Sequence, residues 1–220
     1  KIKNEPSIFI ANEFFDSLAI KQFRKKKNQW FEKFVNLENP KKAFFFEKKI
    51  NIEKIEKKIN FKISQNQNFI EYSDLGFKYL ISISKIIKKN TGGLLLIDYG
   101  YNNKKMRDTL QAVSNHKFAN ILGNIGKADI THNISFSILK SFLNKIGNLN
   151  INLSTQKDFL INMGIKKRAE IISKKESFLK KADIYYRLKR LIDENEMGNL
   201  FKVMLIRNKK NKFKIGFKNW

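Results

Sequence analysis

The sequence predicts an α/β fold built on a largely parallel sheet. Three observations predict it. Two short apolar runs, residues 7–11 (SIFIA) and 94–97 (LLLI), each give way within two residues to an acid. A segment with helical spacing leads into the second run through Gly92-Gly93. Two further apolar segments at the C-terminus flank a polar turn and suggest a hairpin at one sheet edge.

The first run follows Pro6 and is rich in β-branched side chains, as in a parallel strand buried on both faces. It stops at Asn12-Glu13, with Phe14-Phe15-Asp16 behind. In open α/β sheets, ligands bind beyond the carboxyl ends of the strands. Asn12, Glu13 and Asp16 are therefore candidate site residues. The same side chains could instead accept backbone N–H groups at the start of a helix, and position alone leaves both readings open.

Residues 30–37 and 43–50 run apolar around Asn39-Pro40, which predicts a β-hairpin excursion over 30–50. Residues 51–69 are rich in Lys, Asn and Ile without a clear period, which predicts a loop with a short helix. Over 74–90, Leu75, Tyr79, Ile83 and Ile86-Ile87 recur at helical spacing. Asp74 is the expected N-cap, and Lys88-Lys89 suit the negative end of the helix dipole. The second strand follows and reaches Asp98-Tyr99 at its tip. Because Gly92-Gly93 precede this strand, they make a helix-to-strand turn and not a phosphate loop. Neither GxGxxG nor GxxxxGK[ST] occurs.

Residues 105–133 read as a long polar loop holding both histidines, His116 and His132. Helices are expected at about 134–147, 155–181 and 183–192. Residues 200–206 and 212–217 are the expected terminal hairpin. Together, 105–192 read as a loop and helical insertion.

Composition removes several function classes. The 220 residues include no Cys, which excludes a disulfide scaffold, a thiolate zinc site and a cysteine nucleophile. No apolar run approaches the ~20 residues that span a bilayer, and two histidines alone make no metal site. The net charge of +25 invites a nucleic-acid reading. Of the 45 basic residues, however, only six are Arg and 39 are Lys, beside 26 Asn and 20 Phe. Lys, Asn, Ile and Phe are the residues of A/T-rich codons, whereas a nucleic-acid groove favours Arg for bidentate contacts. Codon bias accounts for the charge more simply than specific polyanion binding.

The blocks IFIANEFFDSLAIKQF (8–23), EYS (71–73), GGLLLIDYGY (92–101), DTLQAVSNHKF (108–118), ADIT (128–131), TQKDFLINMGIKKRAE (155–170) and MGNLFKVMLI (197–206) resemble, in order, the MidA-type S-adenosylmethionine-dependent methyltransferases. This family includes the mitochondrial complex I assembly methyltransferase. The resemblance implies the C-terminal part of a class I, Rossmann-like methyltransferase sheet, with the glycine-rich cofactor loop upstream of Lys1. Residues 1–220 are then expected to be an incomplete methyltransferase domain. It also implies S-adenosylmethionine as cofactor, a protein substrate, and an arginine of a respiratory complex I subunit as target. The location implied is the bacterial cytoplasm, or the mitochondrial matrix in a eukaryote.

A guanidinium target needs a carboxylate to orient it. On the resemblance, Glu13 takes that role, with Asn12 as hydrogen-bonding partner. Asp16, Asp98, Tyr99 and His116 are the expected substrate-side residues, and His116 could accept a proton because imidazole titrates near neutrality. His132 is a weaker candidate for the same role. The cofactor-binding residues lie outside this reading, and no metal is expected. Two other functions stay open on sequence: a non-catalytic assembly module and a basic nucleic-acid-binding domain.

Overall fold

The computed structural model describes residues 5–39, 42–115, 117–123 and 126–217. Strand β1 (Ser7–Asn12) is followed by β2 (Lys21–Lys26), β3 (Gln29–Asn39) and β4 (Lys42–Ile50). Then come α1 (Ile52–Ile59), β5 (Phe69–Tyr72), α2 (Asp74–Asn90) and β6 (Gly92–Tyr101). Strands β3 and β4 form the expected hairpin. It is extended by β2 and β5 into a four-stranded antiparallel sheet of order β4-β3-β2-β5.

Strand β1 lies parallel to β6, with Asn12 opposite Ile97. That register brings the end of β1 beside Asp98 on β6. Between the two strands in sequence, α2 crosses over and packs on the sheet. Its N-cap is Ser73, whose hydroxyl accepts from the Gly76 N–H at 3.1 Å. Asp74, expected to be the cap, instead accepts from the Tyr72 hydroxyl and pairs with Lys58 and Lys78. The helix also turns a different face inward than expected. Phe77, Leu80 and Ile87 are buried, while Leu75 and Tyr79 stay in solvent. Phe77 packs at 4.6 Å against the ring of Phe142, and this pairing sets the rotation of the helix.

The region expected to be loop and helix also contains strands. Strands β7 (Gln111–Ser114), β8 (Lys117–Ala119) and β9 (Asp129–Thr131) form a small antiparallel sheet of order β8-β7-β9. A two-residue strand, β10 (Ile134–Ser135), pairs with the end of β6 and leads into α3 (Phe136–Ile146). Next comes β11 (Leu149–Thr155), a strand of the main sheet that the sequence pattern does not announce. The long helix expected at 155–181 is broken. It becomes α4 (Gln156–Asn162) and α5 (Ile165–Ser173), separated at Gly164, whose φ of 81° is left-handed. After α6 (Phe178–Ile192) and α7 (Met197–Leu200), the last strand is β12 (Phe201–Asn208).

The expected terminal hairpin does not form. Residues 212–217 hold no strand. Instead β12 enters the sheet between β6 and β11, antiparallel to both, giving the order β1-β6-β12-β11. Its apolar side chains explain the placement: Phe201, Val203, Met204 and Ile206 are all buried, as suits an interior strand. β1 is also less buried than expected. Ile8 and Ile10 are 81% and 71% exposed, because only one face of this strand is covered. The core lies on that covered face, where Leu94, Leu96, Met204 and Ile206 meet Leu80, Ile87, Phe142 and Leu143.

The end of β6 is fixed by a close approach. A Cβ at Gly100 would lie 2.3 Å from the Ile134 carbonyl oxygen and 2.6 Å from the Phe136 ring. Gly100→Ala is expected to cost roughly 3 kcal/mol in urea denaturation, the upper end of ordinary overpacking.

Candidate active site

The site forms where β1 ends alongside β6: Asn12 lies opposite Ile97, and β6 runs on past Asp98 to Tyr101. Past Asn12 the chain makes one more sheet-like bond, from the Glu13 N–H to the Ile97 carbonyl at 3.0 Å. Glu13 then turns with a φ of 46°. Left-handed backbone is uncommon for a residue with a Cβ other than Asn or Asp, and it concentrates at functional turns. The Glu13 side chain projects into solvent, and Asn12 Nδ2 lies 3.4 Å from its Oε1. The two first-choice residues are thus adjacent and accessible.

The turn is held from below by Asp98. Its Oδ2 accepts from the backbone N–H groups of Phe15 at 3.0 Å and Asp16 at 3.3 Å, and its Oδ1 accepts from that of Tyr99 at 3.0 Å. Asp98 is fully buried. Expected from sequence on the substrate side, it anchors the 13–16 turn from within the protein. Burial, and then the nearby Asp16 carboxylate, push Asp98 up to about 7 against the pull of the three N–H donors. Tyr99, the next residue on β6, is half-buried, with its ring 4.0 Å from that of Phe201. Burial raises its hydroxyl pKa, and the carboxylates of Glu13, Asp16 and Asp98 raise it further.

Asp16 is buried, and its Oδ1 has no hydrogen-bond partner. Burial raises its pKa first and the Glu13 carboxylate second, while His132 works in the opposite direction. The Asp16 carbonyl accepts from the His132 N–H at 3.1 Å. His132 is itself buried, with Nε2 unpartnered, and burial lowers its pKa. The structure thus brings Asn12, Glu13, Asp16, Tyr99 and His132 together. His116 lies outside the described residues.

A polar knot fixes the segment that carries His132. Gln22 and Glu71 face each other across β2 and β5. Gln22 Nε2 donates to Glu71 Oε1 at 2.8 Å and to Asp108 Oδ1 at 2.7 Å. Thr109 donates to Glu71 through both its N–H and its hydroxyl. The Asn133 N–H in turn donates to the Thr109 hydroxyl at 2.9 Å. Sequence reading assigned Glu71, Asp108 and Thr109 no role. The only signal was their presence in the short blocks EYS and DTLQAVSNHKF.

An apolar groove of about 520 Å³ opens beside this cluster, between the β3–β4 hairpin and the strands around β9. Val35, Leu37, Phe45, Leu110, Ile130 and His132 are among the residues that line it.

A family profile described as "Putative S-adenosyl-L-methionine-dependent methyltransferase" matches residues 1–154. The chain belongs to that family. Among similar proteins, the zebrafish (Danio rerio) "Protein arginine methyltransferase NDUFAF7, mitochondrial" is 29% identical over 206 residues, covering 92% of this chain and 47% of the relative. The Caenorhabditis elegans homologue is 30% identical over 165 residues, covering 74% of this chain and 38% of its own length. The chain thus spans about half, or less, of the curated relatives it matches. A Burkholderia thailandensis structure bound to S-adenosyl-homocysteine superposes over the whole chain with a TM-score of 0.77 at 20% identity, covering 58% of that protein. The expected methyltransferase fold is confirmed by this likeness.

The family's cofactor is S-adenosylmethionine, a sulfonium cation. What the described residues offer a cation is negative charge at the strand tips: Glu13 in the open, with Asp16 and Asp98 behind it. Among the described residues, no Lys or Arg forms an ion pair with these three. The glycine-rich cradle that would hold the cofactor's polar tail is not among them, since Gly92 and Gly93 sit at the opposite end of β6. Among the described residues, no group of three or more His, Cys, Asp or Glu could hold a metal, and no helix is long and apolar enough to cross a membrane.

Proposed function

We propose that this chain forms the substrate side of an S-adenosylmethionine-dependent protein arginine methyltransferase, acting on an arginine of a respiratory complex I subunit. The observation that carries the reading is the exposed Glu13 carboxylate at the end of a parallel strand, held on a left-handed backbone with two more carboxylates beneath it. Methyl transfer needs a nucleophilic nitrogen aligned with the methyl group and little covalent help from the protein. A carboxylate placed at that point orients a guanidinium through charge-assisted hydrogen bonds. The apolar groove lined by Ser17 and Leu18, just past the 13–16 turn, and by His132 suits the polypeptide around the arginine. The names of the relatives support arginine and a protein substrate. The complex I subunit is the target that the family resemblance implies. The bacterial cytoplasm, or the mitochondrial matrix, is the matching location.

The test is methylation of isolated complex I subunits by the full-length protein with a labelled methyl donor, read by mass spectrometry of the peptides. Methyl groups on an arginine side chain are the expected result. Label confined to lysine, to carboxyl groups or to nucleic acid would replace this reading with another.

A further inference from the structure

Two buried polar atoms near the end of β1 have no hydrogen-bond partner among the described residues: Asp16 Oδ1 and His132 Nε2. Buried polar groups are nearly always satisfied, and exceptions concentrate where a group has chemistry to perform. These two belong to residues 4% and 7% exposed, on segments tied together by the Asp16–His132 backbone bond. The pair is also over-determined from outside. Asp98 fixes the Asp16 backbone N–H, and the Glu71–Thr109 knot fixes the Asn133 N–H next to His132. Such rigid support is what a reacting group requires.

We propose that His132, oriented by Asp16, accepts the proton that a guanidinium nitrogen loses on methylation. The inference rests on the arginine reading above and adds a named acceptor to it. The balance is simple. A nitrogen–carbon bond forms, and the bond from methyl to sulfur breaks, with its electron pair staying on sulfur. One N–H proton then leaves the guanidinium. Glu13 stands at the solvent edge and orients the cation. His132 is among the residues that line the apolar groove.

The ring's surroundings suit an acceptor. Backbone groups of Asn133, Phe15 and Leu18 act on the ring in the direction that favours its protonated form. Burial keeps the imidazole neutral at physiological pH. The Asp16 charge then stabilises the imidazolium once it forms. The other charged groups acting on Asp16 are Glu13 and Asp98, both acidic.

In the full-length protein, His132→Gln is expected to lower kcat on the order of 100-fold, the usual worth of a general base, with KM for the methyl donor unchanged. In His132→Ala, added imidazole is expected to restore turnover at least ~10-fold, since it replaces the lost base. A readout independent of turnover is the His132 imidazole resonance in histidine-labelled protein, assigned by its loss in His132→Gln. It is expected to shift when methylguanidine is added, and its titration midpoint is expected to fall in Asp16→Asn. Parental kcat in His132→Gln, no rescue by imidazole, or no response to methylguanidine would each overturn the proposal. If Glu13→Gly abolishes turnover and His132→Gln does not, this inference alone fails. If neither variant loses turnover, the arginine reading fails with it.

Discussion

Replacing Glu13 by glycine is expected to leave the protein at least as stable as the parent and to abolish methyl transfer. The two effects come from different atoms of one residue. Its backbone sits at a φ of 46°, where a side chain costs about 1 kcal/mol and glycine costs nothing. Its side chain carries the exposed carboxylate at the tip of β1. Removing one partner of a desolvated charge pair costs roughly 2–5 kcal/mol, or about 30- to 4000-fold in kcat/KM. Methyl-donor affinity, measured by calorimetry on the full-length protein, is expected to stay nearly unchanged. A variant that is stabilised and still turns over at the parental rate would remove Glu13 from the chemistry.

The second large effect is expected at Asp98, and it separates stability from acidity. Asp98→Ala removes the acceptor of three backbone N–H groups in a fully buried place. Donors stranded in this way cost about 1–3 kcal/mol each, so a loss of roughly 3–5 kcal/mol is expected. That is a large share of a typical 5–15 kcal/mol total. The 13–16 turn should loosen with it, so activity falls as well. The pH dependence has the opposite sense to an ordinary salt-bridged acid. The folded value, about 7, lies above the unfolded one, so the folded state holds its proton more tightly. Asp98 therefore contributes most below about pH 4, and that contribution is lost as pH rises to about 7. Asp16 and Glu71, also raised by burial, act in the same direction. Asp74, lowered by Lys58 and Lys78, acts oppositely and only at strongly acid pH. Urea denaturation between pH 5 and 8 is expected to show stability falling by at most about 1.4 kcal/mol per unit for this one group. In Asp98→Asn most of that slope should disappear. A slope that persists would place the titrating group elsewhere.

The tip of β1 was legible in the sequence because its signal is local: an apolar run that breaks off in Asn12-Glu13 states both the strand and its end. The acid at Asp98 marks no end, because pairing with β12 and β10 carries β6 on to Tyr101. The division of labour between the two acids was not legible, since it depends on register. Asn12 opposite Ile97 places Asp98 under the turn and leaves Glu13 above it. The β3–β4 hairpin followed from alternation around one turn. By contrast, β11 reads LNINLST, alternating but half polar, and it becomes a strand only through its pairing with β12. Residues 212–217 looked like a strand but pair with no strand among the described residues, because β12 uses both its edges on β6 and β11. His132 was underrated because a histidine in a polar stretch carries no sign of burial. What buries it is a network closed by Gln22 and Glu71, distant in sequence and neutral in pattern.

The position of β12 has a consequence for how the protein is made. Strand β12 lies between β6 and β11 in the sheet but follows both in sequence, with Leu94 opposite Ile206 and Leu153 opposite Met204. A ribosome that has released β6 and β11 has therefore made two strands that cannot yet pair through their shared neighbour. The edges that β12 will cover stay open until it emerges. Pairings this remote are slow to close, and exposed edges in the interval invite association with other chains. Synthesis that stalls before residue 201 would leave a species prone to aggregation, and chaperone demand should be greatest in that short window.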